Sequence, residues 1–344
     1  MVKKITISLA YGVFIVSVIA GGTFSQAVAG PAAFLEQGVG ARAMGMGGAF
    51  TAVSDDPSAA YWNPAGLGAL DNYYLTAMIQ RLAGAQWPGM EDIRPGYQFF
   101  NLVMPLNVTG LLGSGSASLS FVNMKIDNIP LTGMDDSGAL TRESFSNKEN
   151  AVILSAGYPF LGGGVLMGGS VRYISQDFVG IQGASASGWD IQLGKILPVT
   201  RSLSLGLTME RGPVLTWENG HRDTGGIKTK LGLGYRREIA ESLGLLSALD
   251  LIQKKDMPLQ ASAGTELSAY PQVPGISEVS ARAGVNRFTV EDRYSYRKIM
   301  NESLRWSMGL GIKAEYLNFN LMVDYAFTND AVGNDHLLSL TVRY

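Results

Sequence analysis

From Tyr73 to the C-terminus the chain alternates with period two. Trp189, Ile191 and Leu193 alternate with Asp190, Gln192 and Gly194, and Leu203, Leu205, Leu207 and Met209 with Ser204, Gly206, Thr208 and Glu210. Trp306, Met308, Leu310 and Ile312 repeat the pattern, as do Phe319, Leu321, Val323, Tyr325 and Phe327. Successive side chains of a strand point to opposite faces, so each segment has one apolar face and one polar or small face. Fourteen strands are predicted, near 73–82, 97–106, 114–124, 150–158, 165–176, 188–197, 202–211, 227–236, 243–252, 258–268, 278–287, 304–313, 317–327 and 336–344. Most have the roughly 9–11 residues that cross a bilayer at a tilt. An open edge in lipid would leave backbone groups unsatisfied, so the predicted fold class is all-β, a single transmembrane antiparallel β-barrel of 14 strands.

The connections at 159–164, 198–201, 237–242 and 314–316 are short and read as periplasmic turns. Those at 83–96, 125–149, 177–187, 212–226, 288–303 and 328–335 are longer and more polar, as external loops are. The connections 253–257 and 269–277 break that rhythm, which makes the register around 243–287 the least constrained. The last strand puts Leu338, Leu340, Val342 and Tyr344 on one face and ends on an aromatic residue. It looks like the signal read by the barrel assembly machinery of the outer membrane.

Ahead of the strands, Lys3 and Lys4, an apolar stretch from Ile5 to Ala20 and the small residues Ala27-Val28-Ala29 read as a cleaved secretory signal over 1–29. Gly at 43 of 344 is high, and charged residues make up 16%, against about 25% in ordinary globular chains. After the signal no apolar run approaches the about 18 residues of a spanning helix. These features add up to an exported barrel in the outer membrane of a Gram-negative-type bacterium, surrounded by lipid and lipopolysaccharide. A net charge of −2 without a basic cluster excludes nucleic acid as a partner.

Candidate chemistry is sparse. The chain has no Cys, which excludes disulfides, thiol chemistry and a lipoprotein anchor. Its two histidines, His221 and His336, cannot build a multi-His metal site, and no serine motif lies beside His221. The glycines at 162–164 and 168–169 lack the strand, loop and helix order of a dinucleotide site. The aspartate pairs 55–56 and 135–136 lack the spacing of an EF-hand loop. The expectation is no enzyme, no cofactor and no metal.

If the apolar sets face lipid, the interior receives Arg172, Asp190, Glu210, Lys228, Lys230, Glu266, Arg282, Arg305, Lys313, Asp324 and Arg343. Such charges should pair or meet water; Arg172, Asp190, Glu210, Arg282, Arg305 and Asp324 are the expected lumen network. Their mixed signs argue against a strongly ion-selective pore. Ser116, Ser118, Ser120, Gly168, Ser170, Gly232 and Gly234 on the same faces leave room for an insert. The Gly/Ala-rich segment 30–70, ahead of a barrel over 71–344, could supply it as a hatch, or could be a periplasmic lead-in. Within it, Asp55 or Asp56 could cap a short helix with Pro57 in its first turn, and Asn63-Pro64 would end it.

Gly40-Ala41-Arg42-Ala43, Gly45-Met46-Gly47-Gly48-Ala49-Phe50-Thr51-Ala52-Val53, Asp55-Asp56 and Asn63-Pro64-Ala65-Gly66-Leu67 occur in this order. The run resembles the N-terminal region of FadL-like outer-membrane proteins, particularly their PorV/PorQ-type branch. The resemblance covers 38–68 in detail and the remainder through strand count and the terminal strand. It implies a barrel closed by an N-terminal hatch. In the fatty-acid transporters it further implies capture of hydrophobic molecules at external loops and passage through a lateral wall opening. Carried over residue by residue, Asn63, Pro64 and Ala65 become the gate, and Tyr61 and Trp62 just before them are hatch and gate candidates with them. Met44, Met46, Phe50, Trp87, Ile126, Ile129 and Leu131 become ligand-binding candidates, although extension of a strand accounts for the apolar stretch 124–131 equally well. The expected function is passive uptake or capture of hydrophobic small molecules such as fatty acids. The alternative is a PorV-like shuttle or scaffold of type IX secretion, with a secretion-system protein as partner.

Overall fold

The computed structural model describes residues 30–82, 95–106, 115–134, 140–289, 305–316, 318–330 and 333–344. The export signal and the loop residues Trp87 and Met90 lie outside the described residues. The strands are β1 (Tyr74–Arg81), β2 (Gly96–Pro105), β3 (Ser116–Met134), β4 (Leu140–Phe160), β5 (Val165–Val179), β6 (Ser185–Pro198), β7 (Leu203–Glu210) and the short β8 (Val214–Trp217) and β9 (Arg222–Thr224). They continue as β10 (Lys228–Ala240), β11 (Leu243–Lys254), β12 (Gln260–Ala269), β13 (Ile276–Thr289), β14 (Trp306–Tyr316), β15 (Phe319–Asp330) and β16 (Gly333–Arg343). Leaving out β8 and β9, these fourteen pair in chain order, all antiparallel, and β1 closes on β16. Closure runs from Tyr74↔Arg343 to Arg81↔His336 and is extended by paired backbone bonds between Tyr73 and Tyr344. Among the described residues no helix is long and apolar enough to cross a membrane.

The alternating pattern explains the wall. Leu75, Leu154, Trp189, Leu193, Met308 and Leu310 are exposed, each by more than half of its surface, while their sequence neighbours are turned inward. A belt of bare apolar side chains on strand after strand suits lipid contact. The register at 243–287 follows the predicted order, with bulges between Ala261 and Ala263 and between Ile276 and Glu278.

Two predicted external loops are corrected. The stretch 125–149 is not a wet loop: β3 and β4 run on as a hairpin past the end of β2, with a bulge between Ile126 and Ile129. The apolar residues of 124–131 favour extended pairing over an open loop. The stretch 212–226 holds β8 and β9, and β8 pairs with the outer end of β6.

Residues 30–70 form a 3-10 turn (Ala33–Gln37), one-turn helices (Ala41–Gly45 and Ala59–Trp62) and a second 3-10 turn (Pro64–Ala69). The helix predicted from Asp55 starts later, with Ser58 at its N-cap. Asp56 Oδ1 accepts from Ser58 N at 2.8 Å and Ser58 Oγ at 2.6 Å, so this side chain is spent on an Asx turn before the helix begins. Asn63 ends the helix as expected, and its side chain accepts from Ala65 N at 3.2 Å to start the next turn.

The segment is bonded to strands around the whole ring. Strand side chains donate to its carbonyls: Asn101 to Pro57 (2.6 Å), Ser116 to Leu70 (2.6 Å), Ser155 to Ala60 (3.0 Å), Gln192 to Trp62 (3.3 Å) and Ser204 to Ala52 (2.9 Å). Its own amides donate to Asp250, Ser307 and Ser339. Glycines in adjacent strands let the backbones meet. Gly157, Gly168 and Gly194 are successive cross-strand partners, and a Cβ on any of them would collide with Asn63 or Pro64. Gly206 and Gly232 receive Thr51 and Ala52, and Gly264 and Gly284 receive Met46 and Gly47.

Gly168→Val should therefore unseat the Pro64 turn, an overpacking cost of about 1–3 kcal/mol. Hydrogen exchange read by mass spectrometry should show faster exchange over 59–70 with strand protection intact. Unchanged exchange there would disprove the contact.

Candidate functional site

One level of the barrel interior is apolar. Met78, Phe99, Val122, Ala151 and Ile174 are successive cross-strand partners on β1 to β5, and all are at most 1% exposed. Gly188 and Leu215 continue the row on β6 and β8. Barrel interiors are ordinarily polar, so this belt is a specific feature. Phe34 and Leu35 belong to the same buried cluster, and Gly40 N sits 3.0 Å from Met78 Sδ. Burying each large side chain is worth about 1.5–3 kcal/mol. The Phe34 backbone bonds to Glu149, and Tyr61 OH donates to the Leu35 carbonyl.

Ion clusters hold the segment on the other side. Glu36 faces Lys228 (2.8 Å), Arg287 (3.2 Å) and Lys254 (3.8 Å). Burial acts to raise the Glu36 carboxyl, but these three cations together outweigh it and hold it well below the usual carboxylate range. Arg42 binds Asp55 (2.5 Å), Asp56 (3.2 Å) and Glu266 (2.8 Å). Arg282 joins the same group through Glu266 and Asp324, both at 2.6 Å. Asp250 accepts from Phe50 N and Thr51 N at 3.0 Å each and from Thr51 Oγ1 at 2.7 Å.

Five of the six residues expected as a lumen network fall in two groups. Arg172 pairs with Asp190 (3.1 Å) and Glu210 (3.2 Å), whereas Arg282 and Asp324 belong to the Arg42 group. Arg305 is half-buried at the start of β14, where its carbonyl accepts from Asn286 N. Arg172 and Arg282 each sit where two strands bring carboxylates to them, and Arg42 where the segment and β12 do.

The gate candidates are together. Tyr61 and Trp62 stack edge-on at 5.3 Å, Trp62 Nε1 donates to Val39 O at 2.9 Å, and Lys230 Nζ lies 4.9 Å from the Trp62 ring. Asn63 Nδ2 reaches both Thr51 O (2.7 Å) and Lys195 O (3.3 Å). Pro64 and Ala65 are fully packed against β4 to β6. The ladder of those three strands is unbroken beside them, so the wall is closed at 61–67.

Of the ligand candidates, Met44, Met46 and Phe50 share one buried cluster and Ile126 packs against it. Met44, Met46 and Phe50 are buried between the segment and the strands, and Ile126 and Ile129 are half-buried on the outer hairpin. Trp87 and the Leu131 side chain lie outside the described residues. Met44 and Trp62 border a cavity of about 10 Å³ beside Lys228, Lys230 and Arg287, room for about one water. Sequence reasoning missed Glu36, Arg42 and Asp250 as anchors, and it missed the apolar belt. The belt did leave a signal: Phe99-Phe100, Phe121-Val122, Ala151-Val152 and Tyr173-Ile174 are apolar on both faces where strict alternation demands one.

No protein-family model matches the chain, and no curated protein matches its sequence. Solved structures match its fold. The Pseudomonas putida toluene transporter TodX is similar with a TM-score of 0.51 at 11% identity, over 89% of this chain and 97% of that one. The Ralstonia pickettii toluene transporter TbuX gives 0.54 at 11% identity, over 89% and 97%. A Pseudomonas aeruginosa FadL homologue gives 0.51 at 11% identity, over 94% and 99%. At these identities the likeness is one of fold. The chain shares the closed antiparallel barrel architecture of these three structures.

Two outcomes follow for the anchors. Glu36 has a depressed carboxyl, so its contribution is fully present above the ordinary carboxylate range and is lost as the pH falls through and below it. Protection of 32–40, taken relative to the intrinsic exchange rate at each pH, should fall on acidification in the wild type. Glu36→Gln should exchange fast already at pH 7 and respond little to acid; a wild-type response retained in that variant would disprove the anchor. Arg42→Ala, which leaves Glu266 to Arg282 and Asp55 to Arg236, should loosen the segment by about 1.5–3 kcal/mol in the same assay.

Proposed function

We propose that this chain is an outer-membrane channel that moves hydrophobic small molecules passively, with residues 30–70 as a hatch in the lumen. The apolar belt of Met78, Phe99, Val122 and Ile174 carries the reading: a water-filled pore has no use for it, whereas an apolar solute does. Phe34 and Leu35 stand in that belt as an internal substitute for the solute. The fold shared with TodX and TbuX supports the same class of cargo.

Movement in this reading requires the segment to shift, since its backbone lies in contact with the strand glycines of β4 to β7, β10, β12 and β13. Asn63 and Pro64 are the gate in this reading. They cover Gly157, Gly168 and Gly194, a side-chain-free patch of wall, and lateral exit there would require the closed β4–β6 ladder to part once the segment has shifted. The PorV-like secretion role gains no support from the three similar structures, and no observation favours it.

Cells carrying the chain in their outer membrane should take up labelled toluene or decanol faster than cells with the empty membrane. Asn63→Ala/Pro64→Ala should change that rate with the barrel intact. No uptake above the empty membrane would sink the transport reading, and a secretion protein co-purifying with the barrel would favour the alternative.

A further inference from the structure

One step outward from the apolar belt, the next inward-facing row is polar. Gln80 and Tyr97 are direct cross-strand partners, Tyr97 faces Met124, Met124 faces Glu149, and Glu149 faces Gln176. Asn147 stands two residues from Glu149 on the same face of β4. Gln80, Tyr97 and Asn147 are 3%, 0% and 8% exposed. Even so, Gln80 Oε1, Tyr97 OH and Asn147 Oδ1 have no hydrogen-bond partner among the described residues. Buried polar atoms left unpaired are costly and rare, and three along one wall call for a partner from outside the fold.

The chemistry of that partner is set by the neighbours. Gln80 Nε2 donates to Asp335 Oδ2 at 3.3 Å, and Asn147 Nδ2 donates to Glu149 Oε1 at 2.7 Å. An ionised carboxylate only accepts, so each amide must turn its nitrogen toward the carboxylate and its oxygen away. Gln176 Nε2 is likewise spent on Glu149, at 3.3 Å. What remains open is two carbonyl acceptors and a phenol that can donate or accept, above an apolar floor. A carboxylate placed there would meet acceptors and the like charge of Glu149. A plain hydrocarbon would leave all three atoms unpaired. A hydroxyl can donate to Gln80 or Asn147 and accept from Tyr97.

The geometry points to a binding site for neutral molecules with an apolar body and a hydroxyl head, the body in the belt where Phe34 and Leu35 stand and the head among Gln80, Tyr97 and Asn147. This rests on the proposed transport function and narrows its substrate class from hydrophobic molecules in general to hydroxylated ones.

The test is calorimetric titration of the mature protein in detergent with 4-ethylphenol, ethylbenzene and 4-ethylbenzoate, each corrected for its uptake by empty micelles. 4-Ethylphenol should bind about tenfold more tightly than ethylbenzene, the worth of one or two net hydrogen bonds, and 4-ethylbenzoate should bind least. Tyr97→Phe and Gln80→Leu should each weaken 4-ethylphenol several-fold and leave ethylbenzene unchanged; either variant suffices if the other does not fold. Equal binding of 4-ethylphenol and ethylbenzene, a preference for 4-ethylbenzoate, or a phenol preference that survives in the folded variants would overturn the site while leaving transport standing. Binding of none of the three would overturn both.

Discussion

Closure of the sheet is the constraint on which the rest depends. Once β1 is laddered to β16 there is no free edge, and each strand position has only two destinations. The outward set, Leu75, Leu193 and Leu310 among it, takes the apolar surroundings. Every charge on the inward set must then be neutralised in place. Arg282 is 1% exposed at its side chain and sits between Glu266 and Asp324, and Arg172 sits between Asp190 and Glu210. Such buried pairs add little net stability against an apolar core, but loss of one partner is expensive. Their effect here is positional: they fix which strand residues face Arg42 and Glu36.

The segment 30–70 is recognised mainly through backbone. Serines, Asn101 and Gln192 bond its carbonyls, Asp250 bonds two of its amides, and strand glycines admit its turns at contact distance. Close backbone approach is what glycine allows, and Gly47, at φ 67°, also needs its freedom of conformation. Apolar filling adds to this where Phe34 and Leu35 join the buried cluster of the belt and where Leu67 and Leu70 join a second one with Tyr74 and Val103. Adhesion is therefore spread over many moderate contacts, which suits a part that must be held and yet be displaceable.

Much of this was legible in the residues. All fourteen barrel strands follow from alternation, because lipid selects the outward set strongly enough to reveal it, and the bulges at Ala261 and Ile276 did not disturb the order. The hairpin over 125–149 was read as a loop because Asn, Asp and Lys dominate its flanks, although its apolar stretch hinted at pairing. The anchors were not legible. Arg42 meets Glu266 across 224 residues and Lys228 meets Glu36 across 192, and no local spacing announces such pairs. The apolar belt was visible only as doubled apolar residues in β2 to β5, which an alternation reading assigns to one face.

The bond from Ala41 N to Ser339 Oγ joins the segment to the final strand, 298 residues away. That separation bears on how the molecule is built. A segment made first must stay unpaired, or held by something else, until the last strand arrives to complete its cradle. Contacts of such high sequence separation are entropically the slowest to form. Ring closure and segment docking are then one event in assembly, since the same strand, β16, supplies both the last ladder and the last hydrogen bond. A barrel zipped shut before the segment arrived would have its seams sealed against it.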